Sequence, residues 1–471
     1  MRTLLLLLVT PLVLTVEAAT HVVRNGASLA AAIARCAEND TVLLKSGTYA
    51  EGTITIARPM VLRGEGWPVI DGGGRGEVIL VKASNVTISG VEVRGTRVSD
   101  MNDNAAIKCS DGTNITLRNN RVIGCFFGIY LSGVEHALVS HNRVIGDAAV
   151  QENRRANGIH LWKCSDIRIE HNTVMHHRDG IYLEFVTDSQ VANDSSAFNL
   201  RYGLHFMFSH RDSYTHNVFH DNGAGVAVMF TREVTMTDNR FLHNKGTSAY
   251  GLLLKEINDA VIERNTFVDN TVGLLVDGCN RALVKDNTYT GNGWGVKLYA
   301  NSSATFKGNT FGGNTFDLAT NGDLLLSTLN GNSWDRYRGY DLDHDGLGDV
   351  PHRPLSVFGL VTERMPYAMV LSRSLMVNLL DQAERVVPTM TPAGLEDTAP
   401  LMRPPEKANL TVMRVLGCEG ENGQARTEAG AVRRPCYAST STVFTVHTRT
   451  LFRLYLFVNC IAFFTCALSN G

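Results

Sequence analysis

His205 and Met207 stand two residues apart in the run Arg201-Tyr202-Gly203-Leu204-His205-Phe206-Met207-Phe208, and Met229 follows 22 residues after Met207. One imidazole and two thioethers make a donor set for Cu(I), a soft ion, whereas Zn²⁺ rarely takes methionine. On an extended strand, residues two apart share a face and lie roughly 7 Å apart. Stacked strands lie about 4.8 Å apart, so Met229 comes within reach of Met207 if one repeat separates them. The same face is expected to carry His160, Trp162, Tyr182 and Glu184, with His210 close by in the chain. Exposed aromatic, histidine and methionine side chains also mark protein-docking surfaces. Metal binding and docking therefore both remain open, and they are compatible.

A second constellation is Asp341-Leu342-Asp343-His344-Asp345-Gly346-Leu347-Gly348-Asp349. Carboxylates at alternate positions before a turn glycine can offer several hard oxygens to Ca²⁺. Asp341, Asp343, Asp345 and Asp349 are the candidate ligands, against an acidic capping loop that binds nothing. The position of the bidentate glutamate in a helix-loop-helix calcium site falls on His352. Asp179, Glu184, Asp188 and Asp194 could in principle gather into a lyase-like cation cleft, but no arginine is clearly placed as a base. A Tyr-Gly-x-Asp-Pro-His run is absent, Tyr202-Gly203-Leu204-His205-Phe206 being the nearest match. A secreted carbohydrate-active enzyme, a polysaccharide lyase or epimerase, is thus the alternative to a non-enzymatic accessory protein, and no catalytic residue is assigned.

The elements that must position these side chains announce themselves as a repeat. Asn120, Asn142, Asn172, Asn217, Asn239, Asn265, Asn287, Asn309 and Asn332 recur about every 22 residues, with Asp194 standing in for one of them. Gly128, Gly158, Gly180, Gly203, Gly225, Gly251, Gly273 and Gly295 keep the same beat. Alternating apolar residues between these markers predict three short strands per unit, hence an all-β, right-handed, single-stranded parallel β-helix of ten or so coils with an asparagine ladder at one corner. Ser28 to Ala34 predicts a short amphipathic helix capping the first coil, because an open end would leave strand edges and core facing water. Two coils carry insertions, Gly146 to Asn157 and Lys245 to Tyr250, and insertions of this kind emerge as loops on one face. Pro366 to Arg385 predicts one helix with Met369, Met376, Leu379, Leu380 and Ala383 along an apolar stripe, ended by Pro388 and Pro392.

The 471 residues carry a formal net charge of −2 and no Lys/Arg run, which argues against nucleic acid as a partner. Leu4 to Leu14 is nearly all apolar behind Arg2, and Val16-Glu17-Ala18 resembles a cleavage site, so residues 1–18 are expected to be a secretory signal. The organisation that follows is a capped solenoid over 19–335, an Asp-rich loop and helix over 336–405, and an atypical tail over 406–471. The tail ends in an interrupted apolar stretch, Leu451 to Leu468, in which a membrane span is only weakly indicated. Cys36, Cys109, Cys125, Cys164 and Cys279 form no C-x-x-C motif and are expected to be buried thiols.

The run Arg201 to His210, the string Trp334-Asp335-Arg336-Tyr337-Arg338-Gly339-Tyr340 leading into the Asp-rich loop, and Asp349-Val350-Pro351-His352-Arg353-Pro354 together resemble the NosD family. The resemblance covers roughly residues 20 to 405 and not the tail. It implies a periplasmic β-helix protein that assists maturation of the copper-sulfur centre of nitrous oxide reductase. It further implies work alongside an ABC transporter (permease and ATPase) and a copper chaperone, with peripheral association to the inner membrane through those partners. The C-terminal helix then becomes a candidate contact with the permease.

Overall fold

The computed structural model describes residues 18–322, 326–372, 374–387 and 395–405. The expected signal, apart from Ala18, the two prolines Pro388 and Pro392, and the tail over 406–471 all lie outside them. The chain divides into Met1–Lys407 and Ala408–Gly471, and the described residues all belong to the first unit.

Every strand pairing in the solenoid is parallel, and strands recur in threes, as the sequence pattern requires of a β-helix. One ladder runs through Thr41–Lys45, Thr113–Arg118 and Glu135–Ser140; a second through Ala105–Ser110, Phe127–Ser132, Ile159–Trp162, Ile181–Glu184 and Tyr202–Met207. These two merge where Ala224–Thr237 and Leu252–Glu263 run unbroken through their shared corner. The third ladder, from Thr48–Tyr49 to Ser333–Trp334, is a separate 13-stranded sheet, so the coils outnumber the ten or so expected.

The asparagine repeat is the predicted ladder. Asn217 shows the rule: its Nδ2 donates to Val191 O at 2.8 Å and to Asn239 Oδ1 at 3.0 Å, while its Oδ1 accepts Asp194 N at 2.9 Å. Each side chain thus pairs backbone groups that a tight inward corner would leave unsatisfied in a dry core. A second ladder, not anticipated from the sequence, runs through Asn199, Asn222, Asn244, Asn270, Asn292 and Asn314. Between the two, Phe219, Phe241, Phe267, Tyr289, Phe311 and Trp334 stack face to face inside the tube, with centroids 4.3 to 5.6 Å apart. The coil glycines mark a close approach of backbones: a Cβ on Gly203 would lie 2.8 Å from Gly225 O, and one on Gly225 2.3 Å from Gly251 O.

Both ends are closed. Helix Leu29–Arg35 covers the first coil, its start capped by Ser28 Oγ on Ala31 N. At the far end the last ladder asparagine, Asn332, meets Asp397, which accepts from Asn332 N, Asn332 Nδ2, Gly331 N and Trp334 Nε1 within 3.1 Å. An aspartate 65 residues away thereby completes the asparagine column. The single helix expected over Pro366 to Arg385 is corrected: Val357–Arg364 and Leu375–Val386 are helices separated by a 3₁₀ turn, Pro366–Leu371. Its stripe also divides, because Met369, Val377 and Leu380 pack with Phe316 and Phe358 while Met376 and Leu379 stay exposed. The five cysteines within the described residues are buried free thiols.

Asp194 is the one carboxylate among the asparagines, and burial pushes its pKa up to about 7 because Oδ2 has no partner. A folded-state pKa above the ordinary carboxylate value means the native state holds the proton more tightly than the unfolded chain. The resulting penalty is absent below about pH 4, grows as pH rises towards 7 and is constant above it. Asp194→Asn is therefore expected to raise stability at neutral pH by roughly 1–3 kcal/mol and to flatten the pH dependence of Tm between about 4 and 7. Equal or lower stability of the variant at pH 7.5, measured by denaturant unfolding, would contradict this account of the ladder.

Candidate functional site

Parallel register brings the outer residues of successive coils into columns on the second ladder. Tyr130, His160, Tyr182, His205 and Ala227 are aligned partners, and beside them run Ser132, Trp162, Glu184, Met207, Met229 and Lys255. Met207 and Met229 are register partners, and His205 stands two residues before Met207 on the same strand, as their spacing predicts. The first column is not the exposed patch it was expected to be, however: His160 is only 9% and His205 6% accessible. The rings cover one another, with centroid separations of 4.4 Å for Tyr130 and His160, 4.8 Å for His160 and Tyr182, and 4.9 Å for Tyr182 and His205. The second column stays half-buried, and Tyr182 Oη approaches Met207 Sδ at 3.9 Å. Of the residues expected to dock a partner, Trp162, Tyr182 and Glu184 keep accessible surface, and half-buried His210 lies round the corner against Thr231 Oγ1. His160 does not remain available.

The residue just before each coil glycine completes the site, a position to which the sequence pattern alone assigns no role. Asn157, Asp179, Tyr202 and Tyr250 occupy it in coils around His205. Tyr202 packs 4.6 Å from the His205 ring, and Tyr250 Oη lies 3.5 Å from Tyr202 Oη. Both insertions end here, one at Asn157 and the other at Tyr250. Asp179 is wholly buried, with Oδ2 3.5 Å from His205 Nδ1 and the Nε atoms of Arg178 and Arg201 each 3.8 Å from its oxygens. Neither carboxylate oxygen makes a hydrogen bond, and both ring nitrogens of His205 are also unpartnered. Several orphaned polar atoms in one small volume are costly to a fold, so such a cluster points to a bound species or a mechanism.

The neighbours fix the tautomer of His160. Arg178 Nη2 donates to Asn157 Oδ1 at 3.1 Å, which turns Asn157 Nδ2 towards His160 Nδ1 at 3.2 Å. His160 Nδ1 is thus the acceptor and Nε2 carries the proton, leaving no lone pair for a metal. In His205, Nδ1 lies 3.5 Å from an Asp179 carboxylate oxygen without a hydrogen bond, so no neighbour fixes its tautomer and neither ring nitrogen is taken up by a partner. A carboxylate behind a histidine in this way is the usual orienting partner of a metal-ligating imidazole.

Beyond the methionines, the left-handed corner position is Phe185, Phe208 and Phe230 in three consecutive coils, with φ of 56°, 50° and 56°. The rings stack at 5.4 and 5.2 Å, and Phe185 and Phe208 are exposed. Neighbouring coils use Gly133, Lys163, Glu256 and Gly278 there. A bulky residue at positive φ is strained, and the ring stacking offsets that strain only in part.

Other expected sites divide. Asp341, Asp343 and Asp345 come together with one oxygen each within 4.8 Å, but Asp349 turns its Oδ2 to Leu342 N at 2.7 Å and is not in the group. The four carboxylates considered for a lyase cleft are dispersed: Asp188 forms a two-pronged pair with Arg211, and Asp194 lies in the asparagine ladder.

Burial pushes His160 down to about 3, so its imidazole stays neutral at every pH at which the protein works. Nitrogen-detected histidine NMR is expected to show one ring proton on His160 Nε2 and no titration between roughly pH 5 and 8. A charge change in that range would contradict the tautomer assignment.

Comparison with known proteins identifies the family. Residues 140–339 match the family described as periplasmic copper-binding protein (NosD). Probable ABC transporter binding protein NosD of Stutzerimonas stutzeri is 30% identical over 390 residues, covering 78% of this chain and 88% of that protein. Its counterpart in Pseudomonas aeruginosa is 31% identical over 386 residues, covering 77% and 88%. Among solved structures, the catalytic unit of a Streptomyces thermodiastaticus α-1,3-glucanase superposes with a TM-score of 0.50 at 17% identity, over 65% of each chain, a likeness of fold alone. With two relatives matched over most of both lengths, and with the matched segment spanning His205, Met207 and Met229, the chain belongs to the NosD family.

Proposed function

We propose that this protein is a periplasmic accessory factor that receives Cu(I) as cargo on the outer face of its β-helix and assists copper loading of nitrous oxide reductase, in partnership with an ABC transporter. The observation that carries the reading is the unpartnered His205 imidazole, 3.5 Å from the Asp179 carboxylate, two residues before Met207 on a strand whose register partner for Met207 is Met229. Soft donors on a rigid sheet bind Cu(I) with little loss of side-chain entropy. Three protein ligands at a half-open surface leave a position through which the ion can be handed on. The Phe185, Phe208 and Phe230 ridge, with Trp162 and Glu184, offers a docking surface beside the metal for a copper chaperone or the reductase.

The C-terminal helices suit contact with the permease. Met365, Tyr367, Val370, Leu371, Leu375, Met376 and Leu379 are 50 to 92% accessible, and clustered exposed apolar residues of this kind mark interaction surfaces. Among the described residues no helix is long and apolar enough to cross a membrane. Ca²⁺ at Asp341, Asp343 and Asp345 would serve to hold the loop that follows the last coil, without Asp349.

Met207→Leu with Met229→Leu keeps volume and apolarity, so the coils should fold. The double variant is expected to lose Cu(I) retention by roughly ten-fold or more with little change in Tm. Asp179→Asn should weaken Cu(I) by about 10- to 100-fold through loss of imidazole orientation. Folded variants that hold Cu(I) like the parent, in competition with a chromophoric chelator, would reject the site. A host lacking the protein is expected to make reductase deficient in its catalytic copper centre, and normally loaded reductase would reject the role in maturation.

A further inference from the structure

The first coil carries a set of donors that the site on the second ladder does not involve. His21 lies on strand Thr20–Val23, Cys36 is the C-cap of helix Leu29–Arg35, and Asp40 immediately precedes strand Thr41–Lys45. One donor atom from each, an imidazole nitrogen, a thiol sulfur and a carboxylate oxygen, lies within 4.8 Å of the other two. We propose that His21, Cys36 and Asp40 form a separate metal site, for a borderline divalent ion of the Zn²⁺ type, that staples the N-terminal cap to the first coil.

The surroundings favour a site over a chance cluster. His21 is in register with Val42, and Val42 with Leu62, both wholly buried, so an imidazole occupies the end of an otherwise apolar column. Cys36 is fully buried at the edge of the core, and its helix end is already capped by its own backbone N–H on Ile33 O, so the thiol is not needed as a cap; it makes a contact to Ala32 O at 3.2 Å. Asp40 is held in place by Ala19 N on Oδ1 at 2.7 Å and Ala37 N on Oδ2 at 2.8 Å, the kind of second-sphere support that fixes a ligating carboxylate. Its Oδ2 lies 2.8 Å from His21 Nε2.

Tetrahedral Zn²⁺ with one nitrogen, one oxygen and one sulfur ligand sets donor atoms roughly 3.3–3.7 Å apart. The His21 and Asp40 atoms, 2.8 Å apart, need to open slightly, a movement within the reach of side-chain rotation. His21 is 36% accessible at its side chain and borders a cavity of about 510 Å³ lined also by Ser28, Ala31 and Arg35, so the cluster opens to solvent on its imidazole side. Binding requires the neutral imidazole and the thiolate, so the thiol proton leaves on binding, as does that of any imidazolium, and affinity rises with pH. The donor set is harder than the two thioethers and imidazole on the second ladder, so the two sites prefer different ions.

The test uses the full chain and Co²⁺ as an optical stand-in for Zn²⁺. Because Cys418, Cys436, Cys460 and Cys466 also belong to the chain, the informative quantity is the difference between the parent and Cys36→Ser. The parent is expected to show a near-ultraviolet thiolate-to-cobalt charge-transfer band, bleached by Zn²⁺, that Cys36→Ser lacks and Met207→Leu/Met229→Leu retains. Zn²⁺ should raise the Tm of the parent and not of Cys36→Ser. If Cys36→Ser fails to fold by circular dichroism, His21→Ala, at a partly exposed position, carries the test with an expected loss of Zn²⁺ affinity of about ten-fold or more. Identical cobalt spectra in parent and Cys36→Ser, or unchanged Zn²⁺ affinity in His21→Ala, would overturn the proposal.

Discussion

A parallel β-helix must turn its backbone three times per coil around a dry interior, and each turn points amides and carbonyls where no strand can pair them. The two columns of stacked asparagines answer this, because an amide side chain has both a donor and an acceptor and repeats at the strand spacing. Asn239 relays the rule to Asn265 at 3.0 Å just as Asn217 does to Asn239. Where the rule runs out the chain substitutes an acceptor: Asp194 within the stack, Asp397 at its end. All later features depend on this regularity, since a slip of one residue in any coil would send each outer side chain into the core.

The rigidity so obtained is what the site uses. Aromatic stacking fills the tube from Phe219 onward, whereas earlier coils place Val174 and then Ser196 at the equivalent register. Ser196 Oγ donates to Gly203 O, the coil glycine that opens the strand bearing His205 and Met207. The polar site therefore sits over the coils where the interior changes from small to aromatic residues, with its backbone pinned from inside. Above it, Asp179 is buried without hydrogen bonds between two arginines and His205, an arrangement that costs the fold and can persist only because the surrounding coils are stable.

Function is read from side chains that the fold does not need. The ladder would stand with asparagine in place of Asp194, but nothing in the coil geometry calls for phenylalanine at three left-handed corners, or for methionine at two consecutive outer positions. These residues lie side by side: Met207 is followed by Phe208, and Met229 by Phe230. The proposed metal-binding and partner-binding surfaces would thus be contiguous, which suits an ion handed between proteins without release into solvent.

The 22-residue beat, the glycine column and the alternation of apolar residues suffice to specify the β-helix, the first asparagine ladder and the juxtaposition of His205, Met207 and Met229, because a repeat of fixed length places equivalent residues one strand spacing apart. The second ladder obeys the same period and is equally legible, five residues after the first in Asn217 and Asn222 or Asn265 and Asn270. Other features are not legible at all. Whether His160 and His205 face water depends on neighbouring coils covering them, and Asp179 reaches His205 from the coil before, across a corner that period counting does not resolve. The return of Asp397 to Asn332, the split of the C-terminal helix and the meeting of His21, Cys36 and Asp40 all lie outside the repeat. Local spacing decides what is periodic; contacts between elements of unlike geometry are decided only when the chain has folded.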